Sequence, residues 1–490
     1  MSELHDLSDH YDLIVIGAGP AGETAATKAA YFGKRVCIVE RAPKPGGAAI
    51  NTGTIPSKAL RETALYFSGL RQHGLYGVQY SVKPNIGLGD FMFRERDAVE
   101  AAWMLAGERL HRKNIHSVQG VARFTGPRMI EITRFKQEPR RISADVFVVA
   151  TGSSPIRPAA IPFDDAVVVD AESILRLPTM PSSLVVIGGG ATACEYACSF
   201  GALGVPVTLL NTRARLLTQV DLELAEALRH QMTARFGVAV HNNVQVARVD
   251  VKDGIGHAIL GDDTTFSASC LLHADGREGN TEGLGLELAG VRTGARGFIV
   301  VDEHLRSSVP HIYAAGEANG AAGRAPIAHE QGHMAVRHAY DLRYRERSAP
   351  VVPYAVYTIP EIACVGVTEE QARARKLVYE VGRASYRSTI RGQISGEVDG
   401  LLKILFNPAD QRILGVGIIG DQAAELIHIG MTAMMFGATL DCFLRSVYDH
   451  PSLAEAYRLA AQDGVQRAAK RMSRTAGLPS QTGEFQKLKI

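Results

Sequence analysis

Gly17-Ala18-Gly19-Pro20-Ala21-Gly22 interrupts the chain between an apolar run, Tyr11 to Ile16, and an alanine-rich stretch of helical character. A second apolar run, Arg35 to Val39, follows and ends at Glu40. The order reads as strand, tight turn, helix, strand. In such a frame Gly17 permits the turn, Gly19 lets backbone N–H groups approach a pyrophosphate, and Gly22 allows close helix packing. The helix N-terminus adds partial positive charge. Glu40, at the end of the next strand, can accept hydrogen bonds from both hydroxyls of an adenosine ribose and repels a 2′-phosphate.

The pattern occurs a second time. Leu184 to Ile187 runs into Gly188-Gly189-Gly190-Ala191-Thr192-Ala193, a helix through Phe200, and the run Pro206 to Leu210 ending at Asn211. In both copies the strand end lies 23 residues beyond the first glycine. One glycine fingerprint arises by chance in a glycine-rich chain, whereas two in matching frames predict two dinucleotide-binding βαβ units. The second copy has Ala193 at the third small position and no carboxylate at its strand end. Asn211 can bond a 2′-hydroxyl, and Arg213 and Arg215 stand close behind it, so this end fits NAD(H) and NADP(H) alike. The two arginines are either partners of a 2′-phosphate or solvated loop charges.

With 490 residues the chain has room for several cores; 46% hydrophobic and 21% charged residues describe a globular protein. The formal charge of +2 gives no global field for nucleic acid or an acidic membrane surface. No signal peptide, transit peptide or membrane span is expected, and the cytoplasm is the default location. Six cysteines (Cys37, Cys194, Cys198, Cys270, Cys364, Cys442) form no CxxC and no metal-ligand spacing, so reduced thiols and no metal site are expected. Cys194 and Cys198, at i and i+4, read as small packing residues.

The segment Gly46-Gly47-Ala48-Ala49-Ile50-Asn51-Thr52-Gly53-Thr54-Ile55-Pro56-Ser57-Lys58 resembles the active-site segment of the pyridine nucleotide-disulfide oxidoreductases, which include lipoamide dehydrogenase, glutathione reductase and mercuric reductase. Ala150-Thr151-Gly152, Ile312-Tyr313-Ala314-Ala315-Gly316-Glu317, Tyr357-Thr358-Ile359-Pro360-Glu361 and Ile413-Leu414-Gly415-Val416 continue the resemblance from about Tyr11 to Gln466. The resemblance implies an α/β fold with two Rossmann-like domains, for FAD and NAD(P), and a C-terminal α+β dimerisation domain. The implied boundaries are 1–155 and 282–350 for the FAD domain, 156–281 for the NAD(P) domain, 351–471 for the interface domain and 472–490 for a mobile tail. A homodimer follows by the same resemblance.

In the disulfide reductases the segment carries a Cys-x4-Cys pair, at positions that here are Ala49 and Thr54. Neither can relay electrons through sulfur. Gly53 to Lys58 together with Asn211-Thr212-Arg213 looks like the soluble transhydrogenase branch of the family. The resemblance therefore implies an enzyme that moves hydride between NADPH and NAD⁺ through FAD, one nucleotide at a time. An NAD(P)H:quinone or other-acceptor reductase on the same scaffold, and a nicotinamide-binding redox sensor, are the alternatives.

Site residues carry over by position. Lys58 is implied to lie near flavin N5 and to pair with Glu195. Gly17, Gly19, Gly22, Glu40, Gly47, Ala122, Thr151, Gly152, Glu317 and Ala325 are implied FAD contacts, with Gly120 beside Ala122. Glu317 stands where the family usually has an aspartate on the ribityl chain, and the longer side chain must either retract or shift the backbone. Gly188, Gly190, Glu195, Asn211, Arg213, Arg215 and Gly276 are implied contacts of the nicotinamide nucleotide. Arg277 either touches that nucleotide or points to solvent. His450-Pro451-Ser452-Leu453-Ala454-Glu455 matches the family's acid/base histidine and its orienting glutamate. Reduction of a quinone needs such a proton donor and nicotinamide exchange does not, so the pair is either catalytic for a second acceptor or an inherited interface dyad.

Overall fold

The computed structural model of the protein describes residues 7–70, 88–321, 323–342 and 351–475. Two compact units divide the chain, residues 1–187 with 246–348 and residues 188–245 with 349–490. The expected tail falls largely outside the described residues; the last described helix runs from Glu455 to Thr475.

The first unit is built on a seven-stranded sheet. The strand His10–Ile16 lies between Val36–Glu40 and Arg140–Val149, parallel to both, with Ile14 opposite Cys37 and Phe147. His116–Gln119 extends one edge in parallel, while Met129–Thr133 and Val121–Gly126 add antiparallel strands, and Ile312–Ala314 pairs with the far half of Arg140–Val149. The apolar runs are continuous because both faces are covered. Leu13, Val15, Val36, Ile38, Val146 and Val148 pack with Ala21, Ala25, Ala29 and Val336. Ile14, Ile16, Cys37, Val39, Phe147 and Val149 pack on the other side with Phe124, Ile130 and Ile132. This odd–even division is the two-residue period of a strand read against two cores.

The helix Pro20–Tyr31 follows the glycine turn, with proline in its first turn, where the missing N–H costs nothing. Its alanines leave room for the helix Ala325–Ala339 to approach backbone to backbone: a Cβ at Gly332 would lie 2.4 Å from the Ala21 carbonyl oxygen. The same unit holds the parallel trio Val168–Asp170, Cys270–His273 and Leu184–Ile187 and an antiparallel three-stranded sheet from Val246 to Ala268. Two short strands, Ser153–Pro155 and Arg277–Gly279, pair antiparallel.

In the second unit, the helix Ala191–Ala202 precedes the strand Val207–Asn211, which runs parallel to Ala239–Asn242. The C-terminal part is a five-stranded antiparallel sheet in the order Tyr354–Val356, Glu361–Gly366, Ile413–Gly420, Leu401–Phe406, Glu380–Ser385. Its core joins Ile404, Phe406 and Ile418 to Ile427, Tyr457 and Ala460 of the helices Ala423–Met435 and Glu455–Thr475. A buried charge cluster braces this unit. Lys403, 1% exposed, places Nζ 2.8 Å from Asp221, 2.9 Å from Glu223 and 2.5 Å from Glu369. Arg383 pairs with the same two glutamates at 2.9 and 3.2 Å. Asp221 also caps the helix Leu222–Phe236 by accepting from the Glu223 amide.

Among the described residues no helix is long and apolar enough to cross a membrane, and no group of three or more His, Cys, Asp or Glu side chains is placed to hold a metal ion.

Candidate active site

The first glycine turn is shaped by backbone contact. Gly17 has φ +102°, and a Cβ there would lie 2.4 Å from the Ala150 carbonyl oxygen. At Gly22 it would lie 1.9 Å from the Gly17 carbonyl oxygen. Gly19 differs: its Cβ would meet only Gly47 Cα, at 3.6 Å. The fold does not need glycine at position 19, so the space is left for a ligand. Gly47 closes the other side, with its own Cβ 2.8 Å from Gly19 Cα. No side chain caps the helix at Gly19, which leaves its first amides to an anion. Thr151 Oγ1 is buried without a partner, and Gly152, at φ +70°, turns the chain beside it. An orphaned hydroxyl and an uncapped helix beside a glycine cradle fit a dinucleotide pyrophosphate.

Glu40 accepts from the Ala18 amide at 2.7 Å and the Ala42 amide at 2.8 Å. Each oxygen keeps a second acceptor site, and the carboxylate lines a cavity of about 350 Å³ with Ile38, Leu110, His111, Ser117 and Val118. That space fits an adenosine. His111 and Ser117 are wall residues that the sequence offered no signal for, since they come from a distant helix end and the edge strand. Ala122 turns into the core beside Phe124 and Ile130, whereas Gly120 donates to the Glu40 carbonyl at 2.9 Å. Ala325 opens the helix that covers the sheet.

The segment Gly46 to Lys58 forms a short helix, Gly47–Asn51, and the start of another, Thr54–Leu70. Ala49 and Thr54 occupy these two helices. Asn51 fixes the turn: Nδ2 donates to the carbonyls of Pro45 and Gly47 at 3.3 and 2.8 Å, and Oδ1 accepts from Trp103 Nε1 at 2.9 Å. Lys58 is half-buried, with Nζ 3.4 Å from Ser57 Oγ. None of the six cysteines is in a disulfide, and burial pushes the Cys37 and Cys270 thiols up to about 12, which keeps them unreactive.

Glu317 sits in the turn Gly316–Asn319. Its carboxylate accepts from Ser153 Oγ and Arg277 Nε. Arg277 is thus tied to Ser153 and Glu317, with its side chain 35% exposed. Gly276, at φ +101°, places its Cβ direction 2.8 Å from Ile156 Cδ1. Asn280 Nδ2 donates to the Thr151 carbonyl at 3.0 Å and its amide to the Gly152 carbonyl at 3.0 Å.

In the second unit the glycine turn has the same build. Gly188 has φ +136°, a Cβ at Gly190 would meet nothing within 4 Å, and no side chain caps the helix at Gly190. The strand end differs from expectation in the direction of its side chain. Asn211 is 1% exposed; Oδ1 accepts from the Arg213 amide at 3.1 Å and Nδ2 donates to the Arg213 carbonyl and Asn242 Oδ1 at 3.0 and 2.8 Å. It packs under Gly189, whose Cβ would lie 2.3 Å from Asn211 Oδ1. Asn211 thus folds the loop instead of facing a ribose. Arg215 is likewise committed, donating to the carbonyls of Leu217, Thr218 and Val220 at 3.2, 3.1 and 3.0 Å. Arg213 is exposed, with one contact to Thr218 Oγ1 at 3.3 Å. Glu195 Oε1 accepts from the Tyr357 amide at 2.8 Å.

His450 and Glu455 come together, Nδ1 to Oε2 at 3.6 Å, with the histidine 62% and the glutamate 16% exposed. Arg458 takes the other oxygen of Glu455. The i, i+3 spacing of Glu455 and Arg458 on one helix is the signal that would have found it.

Comparison with known proteins agrees with this geometry. Residues 11–332 match the family model described as pyridine nucleotide-disulphide oxidoreductase, and residues 352–461 match its dimerisation domain. Proteins named soluble pyridine nucleotide transhydrogenase are similar over most of their length. The one from Mycobacterium tuberculosis is 38% identical, covering 92% of this chain and 97% of the relative. The one from Pseudomonas aeruginosa is 37% identical, covering 94% and 99%. Among solved structures, LpdA from Mycobacterium tuberculosis superposes with a TM-score of 0.84 at 27% identity over 92% of this chain and 99% of that one. The flavoprotein disulfide reductase RclA from Escherichia coli, as its Cu(II) complex, gives 0.83 at 25% over 93% and 99%. With two glycine cradles, a half-buried lysine behind the Gly46 segment and a C-terminal sheet matched end to end, this chain belongs to the pyridine nucleotide-disulphide oxidoreductase family.

Proposed function

We propose that the protein is an FAD-dependent, Si-specific pyridine nucleotide transhydrogenase, a cytoplasmic homodimer that moves hydride between NADPH and NAD⁺ without a disulfide relay. The observation that carries the reading is the pairing of two similarly built glycine cradles with a Gly46–Lys58 segment that has Ala49 and Thr54 in place of thiols. The names of the relatives support it.

Bound FAD would supply the two-electron carrier, taking hydride at N5 from one nicotinamide and returning it to the next. The chain's own residues bind, orient and shield. Gly17, Gly19 and Gly22 admit the FAD pyrophosphate to the helix N-terminus, and Glu40 receives the ribose hydroxyls. Lys58 places a positive charge where negative charge develops on reduction. The Gly188–Gly190 cradle receives NADPH and NAD⁺ in turn, so the order is ping-pong. Arg213 meets the 2′-phosphate of the phosphorylated form. No protein nucleophile takes part, and proximity with charge placement carries the rate.

The exposed His450, paired with Glu455, favours a second reading, reduction of a quinone, whose oxygens each need a proton. Anaerobic mixing of the yellow protein with NADPH and an NAD⁺ analogue of distinct absorbance separates the two. Catalytic appearance of the reduced analogue supports transhydrogenation; flavin reduction without it refutes it. A quinone-dependent rate that disappears in His450→Ala supports the second reading.

A further inference from the structure

The Glu317 carboxylate is held asymmetrically. Oε2 accepts from Ser153 Oγ and, at 3.1 Å, from Arg277 Nε. Arg277 is itself anchored: Nε lies 2.7 Å from Ser153 Oγ and Nη2 donates to the Ser153 carbonyl at 2.6 Å. Strand pairing fixes both residues, since Ser153–Pro155 and Arg277–Gly279 form one antiparallel ladder. Nη2 also lies 3.8 Å from Glu172 Oε1, and burial raises the Glu172 carboxyl above its usual range while Arg277 opposes the rise. Among the described residues the hydrogen bonds of this carboxylate reach Oε2, and Oε1 lies over Gly323, whose Cβ would be 2.3 Å away. A glutamate carries three side-chain torsions, and leaving them free costs ordering when a ligand arrives.

We propose that Arg277 is a positioning residue for the flavin nucleotide: it ties down Oε2 of Glu317 so that Oε1 is kept for a hydroxyl of the ribityl chain, and Gly323 supplies the room a carboxylate of this length requires. The inference rests on the flavin reading above. It makes Arg277 act through Glu317, and that dependence can be measured.

The test is the affinity of the full-length apoprotein for FAD, read by quenching of flavin fluorescence. Arg277→Met weakens FAD by roughly tenfold, about one charge-assisted hydrogen bond, and Arg277→Lys recovers part of the loss. In a Glu317→Gln background, Arg277→Met adds little, because coupled residues are non-additive. Gly323→Ala, which pushes Oε1 aside without removing it, shows the same pattern and keeps the test intact if Arg277→Met fails to fold. Unchanged affinity in Arg277→Met, or equal losses in both backgrounds, overturns the proposal while leaving the flavin reading standing. A wild-type chain that does not hold FAD overturns both.

Discussion

Arg213 and Arg215 look equivalent in the sequence, and the structure separates them into a test. Arg215→Ala removes three hydrogen bonds to the carbonyls of Leu217, Thr218 and Val220. Those carbonyls lie in a loop that water can partly re-solvate, so the cost is about 2–3 kcal/mol of loop order, below the sum for three fully lost charge-assisted bonds at about 1.5–3 kcal/mol each. That loss falls on whatever nucleotide the loop receives. Arg213→Ala removes only an exposed guanidinium with one long contact. Against a 2′-phosphate it is worth about 1.5–2 kcal/mol once exposure is discounted, or roughly 10–30-fold in Kd. Calorimetric titration of the oxidised protein with NADP⁺ and NAD⁺ avoids turnover and gives both constants. Arg213→Ala should weaken NADP⁺ by that factor and leave NAD⁺ alone; Arg215→Ala should weaken both together. Equal loss of the two nucleotides in Arg213→Ala, or a selective loss of NADP⁺ in Arg215→Ala, refutes the assignment.

Lys403→Met strips the shared cation from Asp221, Glu223 and Glu369 and should lower stability by about 3–5 kcal/mol, the usual cost of breaking a buried pair on one side; a thermal midpoint equal to wild type would contradict the cluster. The same cluster sets acid sensitivity. Burial alone would raise Glu223, but hydrogen bonds from Arg383 and Lys403 outweigh it and hold the carboxyl down at about 2, and Glu369 is lowered by the same lysine against its own burial. Folded values below the unfolded value of about 4.5 mean a contribution fully present above that pH and lost as pH falls toward about 2. Thermal midpoints should drop across this window, and less steeply in Lys403→Met; identical slopes would count against it. Finally, Gly22→Ala should fail to form the FAD-binding turn, because its Cβ meets the Gly17 carbonyl oxygen at 1.9 Å. Gly19→Ala should keep wild-type circular dichroism and lose FAD affinity; wild-type FAD binding there would move the pyrophosphate elsewhere.

Glycine made much of the architecture legible. At Gly17 and Gly188 the backbone takes positive φ, and Gly22 stands against a carbonyl, so residue type and spacing report geometry directly. The continuous apolar runs of the central sheet were readable for a similar reason: burial on both faces leaves no polar positions. What the sequence hid was where polar side chains turn. Asn211 is drawn inward by Asn242, 31 residues later, and Arg277 by Ser153, 124 residues earlier. Lys403 and Asp221 meet across 182 residues. Such partners are chosen by the packed sheet, and no local spacing encodes them. The His450–Glu455 pair lay closer to view, being five residues apart at the start of a helix.

The chain contains a single tryptophan, and its indole is hydrogen-bonded to Asn51 at the turn between Ala49 and Thr54, with Lys44 Nζ 5.5 Å from the ring centre. Its emission therefore comes from one place. If the flavin of the proposed reading lies beside the Gly46–Lys58 segment, its loading is read against no background from other indoles, with no label to attach and no residue to introduce.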